Sequence, residues 1–463
     1  MNKKLNLIAL TSLVLSSMLG AGVFSLPQNM AAIASPIALI IGWSITGLGI
    51  IFLAKTMLLL NQLKPNFQGS IFAYAKDGFG KLIGFYSAWG YWLCAVIANV
   101  SYLVIVFSAI SFFIDTPSHI FFGNGNTWQA ILGSSILLWL IHFLLLKGIK
   151  TAFIINIITT LCKLIPLFIF IFLSIIAFNL KKFNIDLMGI NLNIPILKQI
   201  KNTMLITLWV FIGVEGAIIL SSKARNIKDV EKSTFLAIII TLSIYLLVTL
   251  LSFGIMNRLD LANMKNPSMA GIMTILIGKW GNIFAILGLI ISVCGSYLSW
   301  TIMAAEVPCI AAKNKIFPII MSKKNQNKSP SYALWFTNIS IQLCLMLIWL
   351  TKLDYNNLLT IASEMILIPY FLVGAYLFKI SIKKFNKYNL FISLGSCIYT
   401  IWLLYAAGLL NLLFSLILYT LGLIFLILTK ITNKNILLLN NKEKFYCFIL
   451  LIISFYAIYF LIK

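Results

Sequence analysis

The chain has 463 residues, of which 61% are hydrophobic and 10% are charged, and its mean hydropathy is +1.01. Soluble domains contain about 45–50% apolar and about 25% charged residues, so this composition excludes an ordinary soluble protein and predicts many membrane spans. The net charge of +24 comes almost entirely from lysines between apolar runs, which indicates membrane topology and contacts with anionic lipid instead of nucleic-acid binding.

Apolar runs of membrane-crossing length predict an all-α polytopic protein with about thirteen spans. The predicted spans are residues 7–33, 36–60, 84–113, 127–147, 152–179, 201–221, 234–257, 280–310, 331–351, 356–380, 388–407, 410–430 and 445–462. The first run has features of a signal peptide, including small residues at Ala32 and Ala34. Glycines interrupt it, however, and further spans follow directly, so we expect it to remain as the first span.

The distribution of positive charge predicts the orientation of these spans. With the N-terminus inside, the inner segments contain 24 of the Lys and Arg residues and the outer segments contain 9. Because positively charged loops stay on the cytoplasmic side, we expect a cytoplasmic N-terminus.

Two predicted spans are interrupted by paired glycines beside polar residues. The first span contains Gly20-Ala21-Gly22, and the sixth contains the segment from Trp209 to Gly216. They lie five spans apart, and an odd number of spans between matched positions predicts two halves of inverted topology. Matched interruptions favour a substrate site near the membrane midplane, while close helix packing is the alternative interpretation.

Three acidic residues lie within predicted spans, where a charged carboxylate costs about 3 kcal/mol or more. Glu215 adjoins the second interruption, where free backbone groups and water can solvate it. For Glu306, an ion pair with Lys313 at the helix end is the alternative to a functional role. Glu364 precedes Pro369 in a stretch that we expect to be irregular, and it lies either in the site or at a hydrated packing position.

One lysine and two tryptophans complete the candidates within the membrane. Lys163 lies beside Pro166 in the fifth span, where a buried lysine can titrate and couple to protons; a snorkelling lysine is the alternative. Trp209 adjoins the second interruption, and Trp300 lies in the middle of the eighth span. A dry site for a cation needs a carboxylate or an aromatic face, and these two rings are the best faces available.

These residues resemble the amino acid–polyamine–organocation transporters. Gly20–Pro27 is similar to the broken first helix of that family, and Trp209–Gly216 is similar to its broken sixth helix. The resemblance covers essentially the whole chain and continues at Tyr91, Trp92, Asn99, Trp300, Thr301, Ile368, Pro369 and Tyr370. Within the basic amino acid/polyamine antiporter branch, bacterial arginine–ornithine antiporters are the most similar, at Phe24–Ala31, Tyr86–Tyr91, Trp139–Ile149 and Asn266–Gly271.

The resemblance implies a LeuT-type fold of two inverted five-helix repeats, with the first and sixth helices broken. The first repeat would be residues 7–179, the second 201–380, and the appended helices 388–462. It implies a secondary active transporter of the bacterial inner membrane, and no enzyme activity, that exchanges arginine for ornithine by alternating access. Proton-coupled uptake of arginine or lysine and arginine–agmatine exchange are the alternatives.

The resemblance also implies where the substrate binds. The backbone from Met18 to Gly22 would receive the α-carboxylate, carbonyl groups near Ile212 would accept from the α-ammonium, and Trp209 would stack on the cationic side chain. The other expected pocket residues are Ser17, Gly20, Ala21, Cys94, Ala95, Asn99, Tyr102, Trp300, Ala362 and Ser363.

Gate and proton-sensing residues are implied in the same way. Tyr91, Glu215 and Tyr370 match an inner gate in which a glutamate bonded to tyrosines closes the cytoplasmic path. Lys163 matches the lysine that replaces a sodium ion in proton-coupled relatives, and Glu364 is an additional candidate. We expect no metal and no cofactor; the expected partners are the cationic amino acid, membrane lipid and a second copy of the chain.

Departures from the family pattern leave the exact substrate open. Ala21 stands where the family has a serine, and Ser17 stands where acid-resistance antiporters have an asparagine. Other classes fit less well: an intramembrane enzyme lacks a histidine–carboxylate pair, and a channel lacks a continuous polar stripe. A substrate-sensing receptor with the same fold is a further alternative.

Overall fold

The computed structural model describes residues 6–67, 70–219, 224–432 and 440–462, and the described chain is almost entirely helical. The α-helices are α1 (Leu7–Met18), α2 (Gly22–Ala31), α3 (Pro36–Leu63), α4 (Ile71–Phe79), α5 (Lys81–Ile114), α6 (Trp128–Lys147), α7 (Ile149–Ala177), α8 (Leu180–Ile185), α9 (Ile196–Phe211), α10 (Gly216–Ile219), α11 (Ile227–Ile255), α12 (Arg258–Ala262), α13 (Ser268–Ile277), α14 (Lys279–Lys313), α15 (Ser331–Thr351), α16 (Tyr355–Lys383), α17 (Lys387–Ala407), α18 (Leu409–Thr432) and α19 (Asn441–Ile462).

Twelve helical segments of the described chain are long and apolar enough to cross a membrane, and one of them is α9 together with α10. Helices α1 and α2 form a bent pair with an angle of 41°, and counting this pair as one span gives thirteen. The predicted all-α polytopic architecture is therefore confirmed. The end of the predicted sixth span, residues 220–221, lies outside the described residues.

Local sequence explains where several helices begin. The Asn6 side chain accepts a hydrogen bond from the Ala9 amide at the start of α1. Ser35 caps α3, and Pro36 occupies its first turn, where the missing N–H has no cost. Asp354 caps α16 and forms a reciprocal capping box with Asn357.

Burial separates central helices from peripheral ones. In α5 and in the α9–α10 segment, 83% of the most apolar 18-residue stretch is buried, whereas in α19 only 11% of the corresponding stretch is buried. Helix α5 packs along both α14 and α16, and the two broken spans pack mainly against α11, α3, α7 and α16. The appended α19 presents most of its apolar surface outward, as expected for a helix in contact with lipid.

The two ends of the helix assembly differ in charge. At one end, here called the lysine-rich end, the short helix α4 is joined to its neighbours by Asp77, which accepts hydrogen bonds from Lys64 at 3.2 Å and from the Tyr376 hydroxyl. Lys379 donates to the Gly78 carbonyl at 2.5 Å. Helix α4 thus links α3 to the end of α16.

The other end, here called the opposite end, is joined by a buried ion pair. The Arg258 guanidinium lies 2.5 Å from the Asp186 carboxylate and donates to the Ala31 carbonyl at 3.0 Å. These contacts connect α12, the segment before α9, and the end of α2. The position of α2 is therefore fixed at the end farther from its break.

Candidate functional site

The first break lies between α1 and α2 and exposes backbone carbonyls inside the protein. The Lys163 ammonium, fully buried on α7, donates to the Leu19 carbonyl at 2.8 Å and to the Ser16 carbonyl at 3.2 Å. The Ser296 hydroxyl on α14 donates to the same Ser16 carbonyl at 3.0 Å. A cation at the C-terminal end of α1 is favourable because that end of a helix carries partial negative charge.

Two aromatic side chains bind the remaining carbonyls of the first break. The Trp300 indole donates to the Ser17 carbonyl at 3.1 Å, and the Tyr245 hydroxyl donates to the Met18 carbonyl at 2.8 Å. Tyr245 also lies 2.8 Å from the Val210 carbonyl of α9. Its hydroxyl therefore joins the first broken span to the second.

The second break covers residues 212–215, between α9 and α10. Gly213 has a φ of +107°, a conformation that L side chains rarely adopt, so only glycine fits there without strain. The Ser17 hydroxyl contacts the Gly213 carbonyl at 2.9 Å, and the Gly213 amide donates to Glu215 at 3.2 Å. The two breaks consequently lie against each other in the protein interior.

Glu215 accepts hydrogen bonds from two tyrosines on different helices. The Tyr91 hydroxyl on α5 donates to Glu215 Oε1 at 2.7 Å, and the Tyr370 hydroxyl on α16 donates to Oε2 at 2.9 Å. Glu215 and Tyr370 are fully buried, and Tyr91 is 2% exposed. The three side chains form the predicted cluster and tie three helices together on the side of the breaks nearer the lysine-rich end. Their role as a gate stays a prediction.

Aromatic rings lie beside the breaks, where the sequence predicts the substrate pocket. The Trp209 and Tyr102 ring centroids are 6.1 Å apart, and the Trp209 indole donates to the Tyr355 hydroxyl at 3.1 Å. A Cβ on Gly20 would lie 3.0 Å from the Tyr102 hydroxyl, and one on Gly22 would lie 3.3 Å from the Trp209 indole nitrogen. These glycines therefore allow the rings to approach the backbone of the first break.

The start of α2 is suited to an anion. No side chain caps this ten-residue helix, whose N-cap residue is Ala21. The first N–H groups of a helix have no partners within the helix, and the N-terminus carries partial positive charge. The backbone at Ala21 and Gly22 can thus bind a carboxylate, and the Trp209 indole lies next to Gly22.

The predicted residues of span three lie on α5 and are all buried. Tyr102 reaches the pocket. The Asn99 amide donates to the Ala95 carbonyl one turn earlier at 2.8 Å and accepts from the Thr301 hydroxyl at 3.2 Å. Asn99 therefore joins α5 to α14, and Cys94 is buried on the same helix.

The predicted residues of span ten divide between different faces of α16. The Ser363 hydroxyl donates to the Leu205 carbonyl at 3.2 Å, and Ala362 is fully buried. Glu364 is nine residues after Tyr355, which at 100° per residue places it half a turn from the face that meets the pocket. The expected irregular stretch is wrong, because α16 continues unbroken through Pro369.

The alternative given for Glu306, an ion pair with Lys313, is not found, because no salt bridge joins these two described residues. Glu306 instead lines a small apolar cavity of about 20 Å³ with Tyr91 and Met303. On the opposite side of the breaks, a polar cavity of about 180 Å³ reaches Tyr355. The larger of these two cavities therefore lies toward the opposite end.

Sequence comparison assigns the family. The amino acid permease family model matches residues 5–461, nearly the whole chain. The chain belongs to the amino acid permease family. This membership, within the amino acid–polyamine–organocation superfamily, places the chain among membrane transport proteins and confirms the family predicted from the sequence.

Individual relatives are similar over most or all of their length. A putative arginine/ornithine antiporter of Escherichia coli strain K12 is 58% identical over 462 residues, covering both chains in full. An arginine/agmatine antiporter of Chlamydia pneumoniae is 43% identical and covers 94% of this permease and 92% of the relative. An arginine/ornithine antiporter of Pseudomonas aeruginosa is 43% identical, with coverage of 91% and 90%.

A solved structure confirms the fold. A sodium-coupled sialic acid symporter in a substrate-bound outward-open state aligns with a TM-score of 0.53 at 11% identity, covering 88% of this permease and 90% of that chain. At this identity the likeness shows the fold alone. The predicted LeuT-type architecture with two broken helices is confirmed, while the repeat boundaries at residues 179, 201 and 380 stay predictions.

Three residues with central contacts were not identified from the sequence. Tyr245 joins the two breaks, Ser296 bonds the first break, and Tyr355 accepts the Trp209 indole hydrogen. A tyrosine surrounded by aliphatic residues in the middle of α11 was the available signal for Tyr245, since a buried hydroxyl needs a partner. Ser296 and Tyr355 stand in ordinary local sequence and become evident only from tertiary contacts.

Proposed function

We propose that this permease exchanges arginine for ornithine across a bacterial inner membrane by alternating access, with its N-terminus in the cytoplasm. The observation that carries the proposal is the adjacency of an uncapped helix start, at Ala21 and Gly22, to the buried indole of Trp209. An amino acid with a cationic side chain needs both kinds of contact. The names of the antiporters that are 43–58% identical support this choice of substrates.

In the proposed binding mode, each part of the substrate has its own partner. The α-carboxylate binds N–H groups at the start of α2, and the α-ammonium donates to carbonyl groups freed near Ile212. The guanidinium or ammonium of the side chain stacks on Trp209, because a desolvated cation on an indole face gains about 2 kcal/mol. Trp300 and Tyr102 complete the walls of the pocket.

Exchange requires that the site closes around the substrate. The site must then stay closed to both sides of the membrane while the protein changes between its outward-facing and inward-facing states. The proposed inner gate is the cluster of Tyr91, Glu215 and Tyr370, which must separate before substrate reaches the lysine-rich end. With the cytoplasmic N-terminus, that end is the cytoplasmic one, and the opposite end faces outward. A substrate that binds the closed form more tightly shifts the population toward it, so an empty transporter returns slowly.

Transport into vesicles tests this proposal. Purified protein is reconstituted into proteoliposomes preloaded with ornithine, agmatine, lysine or buffer, and uptake of radiolabelled arginine is followed without a pH gradient. We expect ornithine inside to accelerate uptake at least tenfold over buffer. Equal uptake into loaded and empty vesicles would contradict exchange, and a preference for agmatine would reassign the counter-substrate.

Proton-coupled uptake is a second candidate because of Lys163. Its ammonium lies against two backbone carbonyls of the first break, as a bound cation would, so loss of its proton would change the environment of the break. An inward pH gradient distinguishes the two functions. Acceleration of arginine uptake into empty vesicles by the gradient supports symport, whereas uptake that depends only on internal substrate supports exchange.

A further inference from the structure

The proline at position 369 leaves a backbone carbonyl of α16 without its usual partner. In a regular helix, the amide of residue 369 would donate to the Met365 carbonyl four residues earlier, but proline has no N–H. Instead, the Tyr419 hydroxyl on α18 donates to the Met365 carbonyl at 2.9 Å. Met365 is fully buried and Tyr419 is 3% exposed, so this hydrogen bond lies inside the protein. The appended helix α18 therefore supplies the donor that Pro369 removes from α16.

A glycine on α5 gives Tyr419 the space to reach this carbonyl. A Cβ at Gly90 would overlap the Tyr419 hydroxyl and would lie 2.9 Å from the Met365 carbonyl oxygen. Beside it, the Trp89 indole donates to the Leu418 carbonyl of α18 at 3.1 Å. Helices α5, α16 and α18 thus meet at one point, and we call Gly90, Met365 and Tyr419 the three-helix joint.

The three-helix joint lies next to the two tyrosines of the proposed inner gate. Gly90 immediately precedes Tyr91 on α5. Pro369, which frees the carbonyl of the joint, immediately precedes Tyr370 on α16. Successive helix residues point about 100° apart, so the two tyrosines can bond Glu215 while neighbouring positions face α18. The joint and Glu215 therefore connect α5 to α16 at neighbouring positions but on different faces.

We propose that Tyr419 is a positioning residue for the inner gate. Its hydroxyl holds α5 and α16 together, so that Tyr91 and Tyr370 reach Glu215 at the same time. The gate then opens when Glu215 leaves a pair of tyrosines that stay together, and not when the tyrosines separate from each other. This inference rests on the proposed gate, and it gives the appended helix α18 a part in transport.

The reactivity of Cys94 toward a membrane-impermeant thiol reagent measures whether the gate is closed. Cys94 is 1% exposed and lies three residues after Tyr91 on α5, so it reacts when the protein opens beside the gate. Inside-out vesicles without substrate present the lysine-rich end to the reagent in the proposed topology. There we expect Cys94 in Tyr419→Phe to react about fivefold faster than in wild type, as measured by peptide mapping with mass spectrometry.

Two further variants accompany this measurement. Tyr74→Phe is the matched control, because Tyr74 is fully buried on α4 and its hydroxyl has no hydrogen-bond partner among the residues that the structure describes. Cys94 should react in Tyr74→Phe at the wild-type rate. Gly90→Ala displaces the Tyr419 hydroxyl without changing Tyr419 itself, and it should accelerate the reaction as Tyr419→Phe does.

Restoring the missing amide separates positioning of the helices from simple satisfaction of a carbonyl. In Pro369→Ala/Tyr419→Phe, the amide of residue 369 can bond the Met365 carbonyl within α16, so the melting temperature lost in Tyr419→Phe should return. The link between α16 and α18 stays broken in this double variant. Cys94 should therefore still react faster than in wild type.

Three results would overturn the role of Tyr419. These are a wild-type reaction rate in both Tyr419→Phe and Gly90→Ala, equal acceleration in Tyr74→Phe, and a return to the slow rate in Pro369→Ala/Tyr419→Phe. The last result would show that Tyr419 only satisfies a carbonyl. Failure of the proposed function looks different, because labelling needs no arginine: exchange would be absent while the reaction of Cys94 still depends on Tyr419.

Discussion

The two breaks share a sequence signal but are stabilised by opposite means. At the first break, carbonyl groups bind donors, chief among them the Lys163 ammonium. At the second break, the Glu215 carboxylate accepts from the Gly213 amide and from tyrosines. The glycines differ too: Gly213 is required by its positive φ, whereas Gly20 lies outside the left-handed region and provides space for Tyr102.

This difference shows that a buried charged side chain at each break forms hydrogen bonds with backbone groups that have no partner within a helix. A cation suits the C-terminal end of α1, and an acceptor suits the amides that precede α10. Tyr245 connects the two by contacting a carbonyl on each side. Substitutions at the two breaks should therefore fail for different, separable reasons, whereas a substitution at Asp77, outside both breaks, should have the smallest effect.

Replacing Lys163 with methionine should have the largest effect. The change keeps the length of the side chain but leaves the Leu19 and Ser16 carbonyls without their cationic donor, and an unsatisfied buried group costs about 1–3 kcal/mol. We expect at least a hundredfold loss of arginine exchange in proteoliposomes, since the break also loses its geometry. Lys55→Met, at a partly exposed salt bridge, is the control; exchange within threefold of wild type in Lys163→Met would contradict this account.

Gly213→Ala should have the next largest effect on the exchange rate, and Gly20→Ala should slow exchange less. A Cβ at Gly213 meets both a left-handed φ and the Ser17 Cβ at 2.8 Å, whereas a Cβ at Gly20 meets only the end of a side chain at 3.0 Å. Strain and overpacking of about 1–3 kcal/mol predict a roughly thirtyfold slower exchange for Gly213→Ala. The measurement is exchange rate at saturating arginine. Equal losses in both variants would mean that the backbone conformation at Gly213 is not the deciding difference.

Trp209→Leu should weaken arginine binding by about thirtyfold, and Trp209→Phe by only about threefold. Both variants lose the indole hydrogen bond to Tyr355, so their difference isolates the aromatic face. Dissociation constants for arginine, measured on purified protein, check this prediction. Indistinguishable constants for the two variants would remove cation–π stacking from the binding mode.

Glu215→Gln should alter the pH dependence of exchange and change its rate at neutral pH by less than about tenfold. The glutamine amide still forms hydrogen bonds with Tyr91 and Tyr370, so the cluster keeps its shape. Unlike the carboxylate, the amide cannot take up a proton. The check is the exchange rate from pH 5 to pH 8 for wild type, Glu215→Gln and the control Glu231→Gln. A profile identical to that of wild type would exclude Glu215 from the gating role.

Asp77→Asn should have the smallest effect. Hydrogen bonds from Tyr376 and Lys64 hold the pKa of the Asp77 carboxyl below its ordinary value of 3.8. A lowered folded-state pKa means that the carboxylate stabilises the fold above pH 4 and that this contribution is lost as the pH falls below it. We expect Asp77→Asn to lower the melting temperature by roughly 1–2 °C at pH 7 and by less at pH 3. Tyr376→Phe, which removes the hydrogen bond that most lowers the pKa of Asp77, should also cost more stability at pH 7 than at pH 3; a pH-independent difference would contradict this origin.

The sequence predicted the breaks and the membrane topology because both depend on local features, namely paired glycines and long apolar runs. It placed Lys163 in the correct span but could not identify Leu19 and Ser16 as its partners, since those contacts span more than 140 residues. The expected irregular stretch near Glu364 was wrong because α16 continues as a helix through Pro369. The cavity that reaches Tyr355 was not predicted, because its lining residues come from distant parts of the chain.

Recognition of positive charge between the two breaks is the central claim, and one pair of affinities tests it most directly. Arginine and citrulline have nearly the same shape, but the side chain of citrulline is neutral. On the purified wild-type protein, we predict that citrulline binds at least tenfold more weakly than arginine, and that Trp209→Leu narrows this ratio. Equal affinities for the two amino acids in wild type would contradict the account.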